Sequence, residues 1–294
     1  MVLVAFTFAF GNTGQAMAAT ALNLGSSNSF AVLGATTITN TGSTIVNGDL
    51  GLSPGTSVTG FPPGTINGTQ HITDSAAAQA EVDLSTAYNA AAGQSVTVTV
   101  SGDLGGQTLV SGVYNSASSL GLTGALTLDG QGNPNSVFVF QSGSSLTTAS
   151  GSSVNLVNGA QACNVFWQVG SSATLGTNSN FSGSVLALTS VTATNGALIN
   201  GRLLARNGAV TLDTNTINRP TCAVAVTPTP SPTPTPTPTP APVSPAVTPV
   251  PTLPSTGLGT QVVTLPWQLP MLAITGAIIL FALIKTRKLV PSEK

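Results

Sequence analysis

The chain predicts a β-solenoid, a stack of short parallel strands wound about three to a coil, with one long helix lying alongside. Three observations predict it. Residues 166–219 divide into three consecutive blocks of 18 residues, FWQVGSSATLGTNSNFSG, SVLALTSVTATNGALING and RLLARNGAVTLDTNTINR. A period this short is too small for a helix pair and fits one solenoid coil stacked on the next. Gly, Thr, Ser, Asn and Val dominate while Lys and Glu are scarce, a composition of strands and turns. One alanine-rich segment alone breaks that texture.

Within the blocks, apolar pairs that open each block are expected to stack in register: Phe166-Trp167, Val185-Leu186 and Leu203-Leu204. Phe181, Ile199 and Ile217 recur near the end, with small polar residues between. The alanine-rich segment reads as a helix over about 75–92, with Asp74 as N-cap and Gly93 as stop. Ala77, Ala80, Leu84, Ala87, Tyr88 and Ala91 share one face at helical spacing. Such a helix is about 27 Å long. Stacked strands rise about 4.7–4.9 Å each, so it spans five or six coils and is expected to bury its alanine face against them. Cys163 and Cys222 bracket the repeat, and in an exported protein such a pair reads as a disulfide.

Residues 19–222 are the expected globular domain. Before them, Val2–Phe10 is apolar and Ala16-Met17-Ala18 has a small-x-small pattern, so 1–18 reads as a secretory signal peptide. No basic residue precedes the apolar run, which leaves a later-than-true start or a buried strand as alternatives. Residues 223–252 form a Pro/Thr-rich linker whose alternating prolines favour extended polyproline II. At about 3.1 Å per residue its proline tract makes a stalk of roughly 80 Å.

Residues 253–294 hold Leu253-Pro254-Ser255-Thr256-Gly257, an apolar span confined by Pro266 and Pro270 to about 269–284, and a basic tail of Lys285, Arg287 and Lys288. That order resembles the cell-wall sorting signal read by sortases. The resemblance implies cleavage between Thr256 and Gly257 and transfer of the threonine to peptidoglycan. A glycolipid anchor signal would end in the apolar run without a basic tail. The protein is therefore expected to be secreted, displayed at the cell surface and anchored to wall or membrane, with a membrane helix before processing.

Charged residues make up only 5% of the chain, against about 25% in ordinary soluble domains. No basic stripe precedes the C-terminal tail, so a nucleic-acid partner is not expected. Asp49, Asp103, Asp129 and Asp213 lie far apart in turn-like contexts and read as residues that bond the local backbone. Glu81 and Asp83 lie two apart on the helix and point to different faces. His71 is the single histidine, and neither a metal spacing nor a nucleophile elbow is present. No enzyme activity, metal or cofactor is expected. Arg202 and Arg206 suit an anion, but read first as solvent-facing strand ends.

Threonine is the distinctive chemistry left. Thr41–Thr44, Thr174–Thr177 and Thr192–Asn195 share the form Thr-x-x-Thr/Asn, and the last two lie one block apart. Thr174 is therefore expected to stack on Thr192, and Thr177 on Asn195, with Thr194 beside them. Thr147-Thr148 and Thr211–Thr214 are further candidates for these rows. Stacked threonines repeat at about 4.8 Å between coils and about 6.7 Å along a strand. These spacings approximate oxygen spacings on ice planes, and methyls on a flat face favour ordered water that hydroxyls can join. The same ladder also suits a surface adhesin for polysaccharide or a partner protein.

Longer runs carry a family resemblance: FAVLGATTITNTGSTIVNGDLGLSPGTSVTGFPPGTINGT (30–69), GDLGGQTLVSGVY (102–114), and ACNVFWQVGSSATLG onward through residue 217. With the helix, they resemble the microbial ice-binding (antifreeze) family with a discontinuous β-solenoid. The resemblance implies a right-handed, three-sided solenoid packed on one long helix, and one flat face that adsorbs to ice crystals. The protein is expected to be a monomer with no catalytic residue. A Thr-Ala/Gly-x-Thr/Asn motif of some family members matches Thr41–Thr44 and Thr192–Asn195. Leu175 departs from it within Thr174–Thr177.

Overall fold

The computed structural model describes residues 18–223. Most of residues 1–18 and 223–252, together with Thr256, Gly257 and the span 269–284, lie outside the described residues. Between those limits the chain is mostly parallel β-strand with one long helix, Ser75–Ala92.

The strands form three rows. In the first, Ser57–Thr59, Thr37–Thr41, Val210–Asp213, Val191–Ala193, Ala173–Leu175, Leu146–Thr148 and Leu120–Leu122 pair in that order, all parallel. The second runs from Gln70–Ile72 through Asp49–Leu52, Phe30–Gly34, Val165–Val169, Phe138–Ser142 and Gly112–Ser116 to Val98–Thr99, with the later halves of Asn180–Ala187 and Leu198–Ala205 in its middle. The third takes the first halves of those two long strands, flanked by Thr216–Asn218, Ile45–Asn47 and Thr65–Ile66 on one side. Ser153–Val157, Ala125–Asp129 and Thr108–Val110 flank them on the other.

In every row the stacking order departs from chain order at the same place. The first coil, at Thr37–Thr41, pairs with the last, at Val210–Asp213. The chain thus starts inside the stack, winds outward to Ile72, and re-enters at Val98 at the far end of the second row. The helix carries it between those ends. Asp74 accepts a hydrogen bond from the Ala77 amide, and Gly93 closes the last turn. Ala77, Ala80, Leu84, Ala87, Tyr88 and Ala91 are buried, most of them against Phe30, Leu33, Phe166, Leu186 and Leu204. Small alanines let the helix approach the sheet closely over its whole length. The second row is thereby apolar on both sides, as sheets covered on both faces are.

The interior is lined by one residue of each inward pair. Tyr114, Phe140, Trp167 and Phe181 form a chain of contacts there, with ring centroids 5.4, 4.0 and 5.1 Å apart. Trp167 continues in register as Val185 and Leu203. The expected register of the apolar pairs is therefore off by one in the first block: Phe166 pairs with Ser184, and Ser184 with Arg202. Phe166 is apolar because the helix covers that side, not because it repeats. Phe181, Ile199 and Ile217 do stack in register.

Cys163 and Cys222 are bonded, with Cα atoms 5.5 Å apart and 59 residues between them in sequence. Closing such a loop stabilises the fold by roughly 4 kcal/mol in the chain-entropy model.

Candidate functional site

With the second row under the helix, two faces remain open, and they differ. On the first row, six of the seven strands turn a hydroxyl outward between inward-facing neighbours, because side chains alternate along a strand. Val191 and Ala193 are buried on either side of Thr192, as Ala173 and Leu175 are on either side of Thr174. Leu175 therefore points into the core and does not roughen the surface. The outward residues stack without interruption: Thr147, Thr174, Thr192, Thr211, Thr39 and Thr59 are successive Cα partners on six neighbouring strands. Gly121 extends the row at one end.

A second line runs along the edge of this face. Thr177 and Thr194 bring their hydroxyl oxygens to 3.3 Å, and Thr194 donates to the Leu175 carbonyl at 2.8 Å. Asn195 turns its amide to the Asp213 carboxylate at 3.2 Å, and Asp213 is the Cα partner of the exposed Thr41. The edge is straight because successive coils turn on a left-handed residue. Gly151, Asn178, Gly196, Thr214 and Gly42 all have φ between 51° and 76°, and amide-to-carbonyl bonds link this turn from coil to coil. Glycine is favoured there, and asparagine is tolerated better than most residues.

Of the sequence-derived site residues, Thr174, Thr177, Thr192, Thr194, Asn195 and Thr41 gather on this face and its edge. Thr44 does not. It lies past the Gly42 turn, fully buried, and its hydroxyl accepts the Asn215 amide at 3.0 Å. The spacing Thr-x-x-Thr spans the corner, so it does not keep both ends on one face. Thr148 is also buried, accepting from the Gly176 amide. The 18-residue period does not single out Thr39 and Thr59, because their place in the row depends on the first coil inserting beside the last. The alternation in Thr37-Ile38-Thr39-Asn40-Thr41 was the available signal.

Asp103 and Asp129 are held below the usual carboxylate range, first by the amides of Gly105 and Gln131 two residues on. Asp83 is lowered by hydrogen bonds from Ser26. Among the described residues no three His, Cys, Asp or Glu side chains converge. Arg206 lies over the Tyr88 ring, 4.6 Å from its centroid. Arg202 corrects the expectation of a solvent-facing strand end. It is 2% exposed and donates to Asn28, Ser184 and the Pro220 carbonyl, tying both ends of the domain to the late coils. Burial, with Arg219 nearby, brings it down to about 10.

The third row is nearly interrupted. The coil from Leu146 to Ala173 carries nine more residues than the coil from Ala173 to Val191. Ser153–Val157 therefore leaves the row after a single pair, Ser153 with Asn180. A cleft of about 550 Å³ opens there. Ile45, Val157 and Leu198 are exposed on this side, at 40%, 37% and 41%. Among the described residues, none of the exposed large hydrophobics lies on the threonine face.

The chain is similar to known proteins. A family model described as ice-binding-like matches residues 32–218. An ice-binding protein of Nostoc sp. (strain HG1) is 54% identical over 206 residues, covering 69% of this chain and 76% of that protein. A solved ice-binding protein from an Antarctic biological consortium is 52% identical with a TM-score of 0.68, covering 69% of this chain and 93% of that one. Another, from the Antarctic ascomycete Antarctomyces psychrotrophicus, is 48% identical with a TM-score of 0.67, covering 69% and 100%.

Proposed function

The chain belongs to the ice-binding family, and on that premise we propose that it adsorbs to ice through the threonine face and inhibits ice growth or recrystallisation at the cell surface. The observation that carries this reading is the unbroken register of six outward threonines on a face without exposed large hydrophobics. Their methyls repeat at about 4.8 Å across strands, and alternate residues at about 6.7 Å along them. Water over rigid, evenly spaced methyls is already ordered, and the hydroxyls join that layer by hydrogen bonds. Ice between adsorbed molecules must then grow with a curved front, which lowers its freezing point.

The coil is taken as right-handed, the hand of nearly all parallel crossovers. The protein acts as a monomer without catalysing a reaction. A signal peptide at 1–18 exports it, and a linker at 223–252 holds it off the surface. The LPSTG segment delivers it to sortase, which joins Thr256 to peptidoglycan; until then the 269–284 span holds it in the membrane. What supports this part is the order of segments in the sequence.

Thermal hysteresis and ice-recrystallisation assays on the purified chain test the reading. Faceted crystals and inhibited recrystallisation are expected. Inert behaviour towards ice, with glycan binding through this same face, would replace it with the adhesin reading.

A further inference from the structure

The cleft on the third row continues into a second one of about 440 Å³, which shares Leu156 and Asn200 with it and ends at Arg219. Two halves of this face use asparagine differently. On one half the side chains bond each other: Asn67 donates to Asn47 at 2.7 Å, and Asn47 to Asn218 at 2.6 Å. On the other half, where the strands part, Asn155, Asn180 and Asn200 are exposed and their side-chain amides have no hydrogen-bond partner among the described residues. Each offers two donors and an acceptor. Leu198, 41% exposed, supplies an apolar surface between them.

Arg219 closes the groove. Its aliphatic stem is fixed over Gly48, where an added Cβ would lie 3.1 Å from the arginine Cβ. Its guanidinium has no carboxylate within ion-pair distance; among the described residues the one such contact is His71 with Asp74. The neighbouring Arg202 repels it and is already committed to Asn28, Ser184 and Pro220. A groove of neutral amides with one uncompensated cation suits a ligand of many hydroxyls and sparse negative charge. A nucleic acid would need a stripe of cations along its phosphates, and only one is here.

We propose that this groove is a second binding site, separate from the threonine face, for an acidic polysaccharide. Asn155, Asn180 and Asn200 hydrogen-bond the sugar hydroxyls, and Arg219 pairs with a uronate carboxylate. The pairing is charge-assisted, which makes it both strong and geometrically selective.

Isothermal titration of the full chain with a galacturonate hexamer tests it, with the uncharged maltohexaose as control. The acidic hexamer should bind with a Kd of about 1 mM or tighter and the neutral one at least tenfold more weakly. Arg219→Gln should weaken the acidic hexamer about tenfold, and Asn155→Ala with Asn200→Ala should weaken it without abolishing its preference over the neutral one. Melting temperatures check that each variant is folded; should Arg219→Gln unfold, the double asparagine variant decides. Absence of binding to either hexamer, equal binding of both, or indifference to the substitutions would overturn the proposal.

Discussion

The threonine face and the asparagine face are built from the same coils, yet one stays paired throughout and the other is nearly split. On the threonine face every strand keeps its partner from Leu120–Leu122 to Ser57–Thr59, although that order joins the first coil to the last. On the asparagine face, extra residues between strands reduce the contact of Ser153–Val157 with Asn180–Ala187 to one pair. The difference teaches where a solenoid tolerates insertions. Loops at a corner can open the adjoining face while the opposite row stays in register, so unbroken register is a property of one face and not of the coil.

The split side depends on its cross-link. Cys163 lies in the short helical turn Ala162–Asn164 after the diverging strand, and Cys222 follows the last strand. Replacing both with alanine should lower stability by about 4 kcal/mol in the chain-entropy model, before strain is counted. Amide exchange should accelerate at 153–164 and 219–223 more than at Thr174 or Thr192. Equal acceleration on both faces would show that they are not independent.

A smaller effect concerns the covered face. Glu81 is half-buried on the helix, with both carboxylate oxygens shielded from solvent and neither hydrogen-bonded. Burial pushes its pKa up to about 8 from 4.5, outweighing the attraction of Arg206. Between those values the folded chain holds a proton that the unfolded chain has released, so this residue makes stability fall as pH rises from about 4.5 to 8. Glu81→Gln should remove that slope and stabilise the fold at pH 8 by about 1–3 kcal/mol. Denaturant titrations at pH 5 and pH 8 check it; an unchanged slope contradicts it.

The repeat, the helix and the disulfide partners were legible in the sequence because each rests on local or evenly spaced signals. Asp74 and Gly93 mark the helix ends, and Thr174 with Thr192 follow from an 18-residue period. Thr39 and Thr59 were not legible in that way, since nothing periodic announces that residue 39 will pair with residue 211. Thr44 misled because a left-handed corner at Gly42 lies inside its motif. Arg202 misled because an arginine defaults to solvent unless carbonyls such as those of Asn28 and Pro220 converge on it, and that is a tertiary fact.

The smallest effect is the control for the comparison. Thr65 is exposed on the asparagine side, on the strand Thr65–Ile66. Thr65→Tyr should change stability by no more than about 0.5 kcal/mol and leave ice shaping as it was. A loss of ice activity there would move the adsorbing surface off the threonine face.

The central claim meets its most direct test in Thr192→Tyr, assayed by thermal hysteresis alongside a melting curve. Thr192 stands in the middle of the row, between Thr174 and Thr211, and a ring there lifts the face off the ice over several neighbours. Hysteresis should collapse while stability moves by no more than about 0.5 kcal/mol. Full hysteresis in a folded Thr192→Tyr variant would contradict the account.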